Sequence, residues 1–320
     1  MKLVTFEQTA GTSRLGALGP DGGIIDVAAR TSDPAFVSML ALIEAGPQAL
    51  AALRQVVAGA QESLDPQSVR WLAPLPLPVQ MRDFLAFEEH ARMAAWGGQR
   101  LRAHWGDVPA PNAPAPVPKI WYEQPLYYKC NRFAVSGPDT TIAWPEASRI
   151  IDYELEIACI LGKSGRDISA AQAPSHIFGY TIFNDLTARD LQFREMQGPL
   201  GPAKGKDFDG ANVLGPVIVT ADELDPAAGL AMNAFIDGEL WSAGSTATMH
   251  WSFADIIAHV SRGETLHAGE VLGSGTVGGG CGLEQGRFLK HGDEVVLVIE
   301  GIGLLASRID APHVPEGMRL

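Results

Sequence analysis

The most informative part of the sequence is DYELEIA, residues 152–158, which lies inside the longer run IIDYELEIACIL. Side chains alternate between the two faces of a β-strand, so Asp152, Glu154 and Glu156 are expected to share one face. Neighbours on one face lie roughly 6–7 Å apart along a strand, so two carboxylates at that spacing can converge on one divalent cation. The alternative interpretation is a half-exposed strand whose acidic face is solvated.

Strand-like segments dominate the chain on both sides of this run. They are RFAVSG (132–137), HIFGYTIFND (176–185), VLGPVIV (213–219), MNAFIDGEL (232–240), EVLGSGTV (270–277) and DEVVLVIEGIGLLASRI (293–309). Helical spacing of apolar residues appears mainly in TARDLQFREM (187–196) and SFADIIAHVSR (252–262). The sequence contains neither an alternating strand–helix rhythm nor a GxGxxG turn, which argues against a dinucleotide-binding domain. These patterns predict a mixed α/β, strand-rich body, mostly antiparallel, with peripheral helices.

Two proline-rich stretches punctuate the chain. LAPLPLPVQ (72–80) follows a region of short strands and helical spacing, so we expect a small N-terminal α+β module at residues 1–72 and a catalytic domain at 73–320. PAPNAPAPVP (109–118) is incompatible with a regular helix or a central strand, because proline lacks an amide donor and fixes φ. This second stretch is expected to be a surface loop, with a lid over a site as the alternative.

The composition restricts the partners and the location of the protein. A net charge of −13 over 320 residues argues against binding to nucleic acid or to an anionic membrane surface. The cysteines Cys130, Cys159 and Cys281 are scattered without CxxC spacing, which fits a reducing compartment and gives no zinc site. The N-terminus lacks a signal-peptide pattern, and no apolar run approaches the ~20 residues of a membrane span. We therefore expect a cytoplasmic protein.

A third candidate carboxylate stands in FNDLTARDLQ, residues 183–192. Asp185 ends an apolar strand pattern and precedes a helical one, so it could either bind a metal or cap the helix N-terminus. Ligands that are all oxygens favour a hard cation, Mg²⁺, Mn²⁺ or Ca²⁺, over zinc.

Three further segments contain candidate functional residues. KGKDFDGANVLGP (204–216) has Lys204 and Lys206 among glycines, where solvated turn lysines are the alternative. MRDFLAFEEHARMAAW (81–96) places Asp83 and His90 seven residues apart, near one stripe of a helix, although a lone histidine is usually structural. GSGTVGGGCGLEQG (273–286) offers many backbone N–H groups and ends near Glu284, with a flexible hairpin as the alternative.

In this order, DYELEIA, FNDLTARDLQ, KGKDFDGANVLGP and the SGT…GLE segment resemble the fumarylacetoacetate hydrolase superfamily, over most of residues 81–310. The resemblance implies a β-roll-like mixed sheet body and a homodimer. It also implies a divalent cation, Mg²⁺ first with Mn²⁺ or Ca²⁺ as alternatives, held by Glu154, Glu156 and Asp185, with Asp83 as a fourth ligand.

The resemblance also assigns roles around the cation. His90 would be the catalytic base, oriented by Glu284, while Asp152 has no ligand role in the family pattern and is left structural. Arg189, Gln192 and Lys206 would stabilise negative charge, Thr276 would contact the substrate carboxylate, and Tyr128 or its neighbour Tyr127 would contact the substrate.

The expected activity is hydrolysis of a carbon–carbon bond in a small anionic 1,3-dicarbonyl compound, similar to fumarylacetoacetate or an acylpyruvate, by water that His90 activates. The superfamily also includes other enzymes, so a 2-oxo acid decarboxylase, an isomerase or tautomerase, or a hydratase on the same metal site is the alternative. A catalytically silent protein that binds the metal and the ligand is the alternative outside the enzymes.

Overall fold

The computed structural model describes residues 1–8, 11–106, 108–109, 111–198 and 200–320. Position 110 of the proline-rich segment at 109–118 therefore lies outside the described residues. Residues 111–118 of that segment form neither helix nor strand, as their prolines predict. None of the described helices combines the length and the apolar composition needed to cross a membrane.

The described residues form short strands and few helices. The strands are β1 (Lys2–Glu7), β2 (Ser13–Leu18), β3 (Ile24–Asp26), β4 (Arg70–Leu72), β5 (Met81–Phe84), β6 (Tyr127–Lys129), β7 (Val135–Ser136), β8 (Thr140–Ala143), β9 (Ile151–Asp152), β10 (Leu155–Leu161), β11 (Gly165–Arg166), β12 (Ile177–Asp185), β13 (Thr187–Ala188), β14 (Asn212–Thr220), β15 (Ala231–Ile236), β16 (Glu239–Ser245), β17 (Thr265–Leu266), β18 (Val271–Gly273), β19 (Glu294–Ile299) and β20 (Gly303–Asp310). The helices are α1 (Met39–Ala58), α2 (Glu88–His104), α3 (Lys119–Glu123), α4 (Arg189–Glu195), α5 (Phe253–Val260) and α6 (Gly282–Gln285). Short 3₁₀ turns lie at Pro34–Phe36, Pro66–Ser68, Ala173–His176, Pro226–Ala228 and Thr246–Thr248.

Most strands belong to two mixed sheets. The larger follows the order β3-β2-β1-β14-β12-β10-β18-β5-β6, with β4 beside β1 and β7 beside β14. The smaller follows the order β16-β15-β19-β20-β8. Most neighbours are antiparallel, whereas the pairs β5–β18, β7–β14 and β8–β20 are parallel. The predicted mixed α/β, strand-rich fold class is confirmed.

Both faces of the larger sheet are buried. On one face, Leu155, Ile157 and Cys159 of β10 join a core with residues of the smaller sheet, among them Met232 and Leu297. On the other face, residues of β10 and β14 pack in a second core with helix α1. A strand buried on both sides has an almost continuous apolar sequence, which explains the run IIDYELEIACIL. It also excludes a solvated acidic face, because the side chains of Asp152, Glu154 and Glu156 are all buried.

The N-terminal strands extend the larger sheet. Strand β1 pairs with β14 through Lys2↔Val219 and Leu3↔Ile218, while β2 and β3 continue the sheet outward. Helix α1 covers the adjacent face and is interrupted at Gly46, whose φ of 78° is non-helical. The division at residues 1–72 and 73–320 stays a prediction.

Strand register brings distant segments of the chain together at one place. Ala158 of β10 is the partner of Gly273 in β18, and Gly273 is the partner of Asp83 in β5. The prediction that one helix includes both Asp83 and His90 is wrong, because Asp83 lies in β5 and His90 lies in the first turn of α2. Pairing with β18 satisfies the backbone of β5 and outweighs the local helical spacing.

Candidate active site

A cavity of about 450 Å³ lies where β5, β6, α2 and α4 meet. Its lining includes eight of the residues that the sequence singled out, namely Asp83, His90, Tyr128, Glu154, Arg189, Gln192, Lys206 and Thr276. Glu156, Asp185 and Glu284 lie directly behind this lining and contact it. The structure therefore brings all eleven predicted site residues to one place, and their individual roles stay predictions.

A larger cavity, about 760 Å³, lies beside α1 and is lined by Arg54, Lys163 and His267 among others. Its ionic groups are exposed, and Arg54 is already paired with Asp222 at 2.7 Å. The smaller cavity is the better candidate because its polar groups are buried and converge.

Three buried carboxylates form a cluster at the floor of the smaller cavity. One oxygen each from Asp83, Glu156 and Asp185 lies within 4.8 Å of the others. The amide of Gly275 donates to Asp83 Oδ1 at 3.1 Å and to Glu156 Oε2 at 3.2 Å. Glycine at position 273 leaves room for this cluster, since a Cβ there would lie 2.4 Å from Asp83 Oδ1 and would displace the carboxylate. The backbone of the SGT segment thus shapes the cluster.

The cluster fits a hard divalent cation. Burial raises the pKa of Asp83 and of Glu156, whose carboxylates also lie side by side, and burial raises the pKa of Asp185 to about 7. Asp185 Oδ1 is buried, and among the described residues no group hydrogen-bonds to it. Asp185 is not the helix cap that the sequence left open, because α4 begins only at Arg189 and Ala188 occupies the cap position. An all-oxygen donor set with an unpartnered oxygen is the chemistry that Mg²⁺ or Mn²⁺ prefers.

Glu154 lies beside the cluster but binds two cationic side chains. Its Oε1 accepts from Arg189 Nη2 at 2.7 Å and its Oε2 accepts from Lys206 Nζ at 2.7 Å. Burial opposes ionisation, yet Lys206 and Arg189 hold the pKa of Glu154 well below its usual range. The structure does not bring Glu154 into the group of three, and its predicted ligand role stays a prediction.

Lys206 connects Glu154 to the cluster. Its ammonium group also contacts Asp185 Oδ2 and donates to Thr187 Oγ1 at 2.8 Å. Burial disfavours the charged amine, but Asp185 and Glu154 outweigh burial and raise the pKa of Lys206. Lys206 therefore places a fixed positive charge at the cavity, whereas Lys204 is exposed. Thr187 was not predicted, and its only signal was its place within FNDLTARDLQ.

A histidine–carboxylate pair lies on another wall of the cavity. His90 Nδ1 is 2.7 Å from Glu284 Oε1, and Glu284 Oε2 accepts from the Gly279 amide at 2.8 Å. Burial lowers the pKa of His90, but Glu284 outweighs burial, so that the pKa is raised overall. Because the carboxylate accepts the Nδ1 proton, Nε2 is the nitrogen left for proton transfer.

Cys281 completes a second group that could ligate a metal, with His90 and Glu284. Its thiol donates to Glu284 Oε1 at 3.4 Å, and burial raises its pKa well above the usual value. A neutral thiol that already donates to Glu284 is a poor metal ligand, so we interpret this group as the surroundings of a base. No sequence pattern beyond the glycine-rich context indicated a role for Cys281.

The remaining predicted residues surround the cluster. Arg189 Nη1 donates to Gln192 Oε1 at 3.0 Å, and the phenol of Tyr128 donates to Asp185 Oδ2 at 2.6 Å. Thr276 Oγ1 donates to Glu156 Oε1 at 3.3 Å. The cavity wall away from the carboxylates is mostly apolar and includes Leu85, Ala94, Leu126, Phe193 and Met196.

The chain belongs to the fumarylacetoacetate hydrolase family. The family model described as Fumarylacetoacetate (FAA) hydrolase C-terminal matches residues 81–310. Oxaloacetate tautomerase YisK of Bacillus subtilis (strain 168) is 37% identical over 189 residues, which are 58% of this chain and 62% of that protein. Mitochondrial oxaloacetate tautomerase Fahd2a of Rattus norvegicus is 32% identical over 295 residues, 91% of this chain and 85% of that protein.

Solved structures share the fold. The fumarylacetoacetate hydrolase of Exiguobacterium antarcticum superposes with a TM-score of 0.71 at 30% identity, over 97% of this chain and 99% of that one. The maleylpyruvate hydrolase of Sphingobium sp. SYK-6, in complex with manganese(II) and pyruvate, superposes with a TM-score of 0.70 at 22% identity over 97% and 99%. That maleylpyruvate hydrolase was solved with manganese(II) bound.

The predicted activity, a hydrolase that cleaves a carbon–carbon bond, is wrong. Relatives from Rattus norvegicus, Homo sapiens and Bos taurus that match over more than nine tenths of this chain are named oxaloacetate tautomerases, so the isomerase or tautomerase alternative is favoured. The physical reason for this error is that His90, the proposed base, is compatible with more than one reaction. A buried histidine held by a carboxylate can take a proton from carbon as well as from water, so the His90–Glu284 pair cannot indicate hydrolysis by itself.

Proposed function

We propose that the protein is a metal-dependent tautomerase that interconverts the keto and enol forms of oxaloacetate or of a closely related dicarbonyl acid. The observation that carries this proposal is a buried imidazole, held by Glu284, on the same cavity as a cluster of three buried carboxylates. The oxaloacetate tautomerases among its relatives give it further support.

Asp83, Glu156 and Asp185 would hold the divalent ion, with Glu154 as the next carboxylate beside them. When bound, the ion supplies a Lewis acid that polarises a carbonyl oxygen. We propose Mg²⁺, with Mn²⁺ and Ca²⁺ as alternatives, since every candidate ligand is an oxygen.

His90 would transfer the proton that distinguishes the two tautomers. Its Nε2 takes a proton from the carbon between the two carbonyl groups, and the electron pair of the broken C–H bond forms the C=C bond of the enol. The former carbonyl oxygen gains negative charge and then takes a proton from solvent, while the imidazolium releases to solvent the proton that it took from carbon. In the reverse direction the imidazolium returns its proton to carbon, so the formula of the compound is unchanged and no water is consumed.

The cationic and polar groups of the cavity would stabilise the charge that develops on the enolate oxygen. Lys206 and Arg189 are charged and buried, so their fields act with little screening by water. Gln192 orients Arg189 through the bond at 3.0 Å. Thr276 and Tyr128 line the same cavity, and we propose that they contact the substrate.

The test follows the ultraviolet absorbance of the oxaloacetate enol, with Mg²⁺ present and the spontaneous rate subtracted. His90→Asn should lower the enzymatic rate by about 10²–10⁴-fold, the usual value of a general base, and leave Mn²⁺ affinity within a few-fold. His104→Asn is the matched control, because His104 is exposed at the other end of the same helix. Full activity in His90→Asn would contradict the assigned base, and release of CO₂ with pyruvate would indicate a decarboxylase instead.

Two expectations about the whole protein accompany this proposal. The homodimer that the resemblance implies stays a prediction, which light scattering of the purified protein would test. The cytoplasmic location stays a prediction as well.

A further inference from the structure

Asp152 is a buried carboxylate behind the cavity, outside the metal cluster. Its side chain is 0% exposed, and it accepts four hydrogen bonds. Oδ1 accepts from the amides of Gly282 at 2.7 Å and Tyr153 at 3.0 Å. Oδ2 accepts from Arg189 Nε at 2.7 Å and from the Leu283 amide at 2.9 Å. An ionised carboxylate is tolerated in such a place only when its lone pairs are satisfied in this way.

Asp152 fixes the guanidinium of Arg189 on the side that faces away from the cavity. The other two nitrogens of that guanidinium donate to Glu154 at 2.7 Å and to Gln192 at 3.0 Å, and both of these partners line the cavity. Arginine has a long side chain with many rotamers, so three partners in different directions hold its plane in one orientation.

The same carboxylate holds the helix that carries the proposed orienting residue. Gly282 and Leu283 are the first two residues of α6, and Glu284, the partner of His90, follows them directly. The backbone approaches Asp152 so closely that a Cβ on Gly282 would lie 2.6 Å from Asp152 Oδ1. A displacement of this helix would therefore carry Glu284 away from His90.

We infer that Asp152 is a positioning residue that fixes Arg189 and the Glu284–His90 pair relative to one another across the cavity. The inference rests on the proposed function, because the groups that Asp152 positions are those that would transfer the proton and stabilise the enolate. It extends the role of Asp152 beyond the structural one that the sequence suggested, and it assigns no metal ligation to this carboxylate.

Asp152→Asn tests the inference. Whichever way the amide turns, its NH₂ group faces two N–H donors, so two of the four bonds are lost. Displacement of positioned groups by about 1 Å lowers turnover by about 100-fold, which is the loss of kcat expected here. KM and the Kd for Mn²⁺ should stay within a few-fold, because Asp152 lines neither the cavity nor the cluster. Asp152→Glu keeps the charge and is the second variant if Asp152→Asn fails to fold.

Asp26→Asn is the matched control. Asp26 is also largely buried and accepts from an arginine, Arg14, at 2.8 Å and from a backbone amide, Ala29, at 3.2 Å, but it lies in β3. The Asp26→Asn variant should have a lower Tm than the wild type and an unchanged kcat. A double-mutant cycle with Arg189→Lys separates positioning from general stability, since coupled residues give non-additive losses. Additive losses, or a kcat unchanged in Asp152→Asn, would overturn the inference.

A crystal structure of Asp152→Asn gives a readout that does not depend on turnover. Displacement of the Arg189 guanidinium and of Glu284 in that structure would support the inference. If the wild-type protein leaves oxaloacetate unchanged, that result refutes only the proposed function. If Arg189 and Glu284 keep their positions in the Asp152→Asn structure while the wild-type protein is active, only the positioning role is refuted.

Discussion

At the scale of single residues, Glu284 controls the protonation of His90. The two side chains are 2.7 Å apart and buried, and the carboxylate raises the pKa of His90 despite the opposing effect of burial. In the keto-to-enol direction His90 must start as the neutral base, so this activity is lost as pH falls through the pKa of His90. This pair therefore sets the acidic limb of the pH–rate profile.

Glu284→Gln should move that limb to lower pH, because an amide no longer stabilises the imidazolium. The rate on the plateau should also fall by about 10-fold or more, since a base with a lower pKa accepts a proton less readily. The measurement is kcat/KM for the keto-to-enol conversion of oxaloacetate against pH. Glu300→Gln, on an exposed side chain, is the control and should leave the profile in place. A limb at unchanged pH in Glu284→Gln would mean that another group titrates.

At the scale of elements, the proposed base and its partner come from two helices that touch. His90 is in the first turn of α2 and Glu284 is in α6. The helices approach each other at Gly97, where an added Cβ would lie 2.4 Å from the backbone oxygen of Leu283. A backbone atom cannot move aside like a flexible side chain, so this contact sets the spacing of the two helices.

Gly97→Ala should therefore separate α2 from α6 and weaken the His90–Glu284 bond. We expect a loss of about 1–3 kcal/mol in the free energy of unfolding, as for other overpacked sites, together with a lower kcat. Gly59→Ala is the control, because Gly59 has a φ of −83° and its added Cβ would meet no atom closer than 3.4 Å. Chemical denaturation and steady-state kinetics measure both quantities. Wild-type kcat in Gly97→Ala would show that the helix spacing does not matter.

The sequence predicted the buried strands better than it predicted their partners. The runs around Glu156 and Asp185 are rich in apolar residues, which is a local signal for strands, and they form β10 and β12. Strand β5 was predicted as helix, because its partner β18 lies far along the chain and no local pattern reveals it. Glu154 was grouped with the metal ligands, and that role stays a prediction. Its contacts with Lys206 and Arg189 could not be predicted, because they depend on the three-dimensional placement of those cations.

At the scale of the whole molecule, the carboxylate cluster links stability, pH and metal. Burial raises the pKa values of Asp83, Glu156 and Asp185, to about 7 for Asp185, whereas an unfolded chain releases such protons near about pH 4. Without metal the folded state binds more protons than the unfolded state in this window. The cluster's contribution to stability is therefore present at low pH and is lost as pH rises above about 4, with the loss from Asp185 complete only above about pH 7.

A divalent ion should reverse this loss, because it replaces the protons and its affinity rises with pH. We expect Mn²⁺ to raise Tm little at about pH 5 and much more at about pH 8, relative to protein with EDTA. Other titrating groups contribute to both samples, so the difference in Tm isolates the cluster. Asp185→Asn should abolish most of the pH dependence of that difference, since it removes the carboxylate whose oxygen lacks a partner among the described residues. A metal-induced gain in Tm that is the same at both pH values would mean that the ion binds elsewhere, and the three carboxylates would then lose their proposed role.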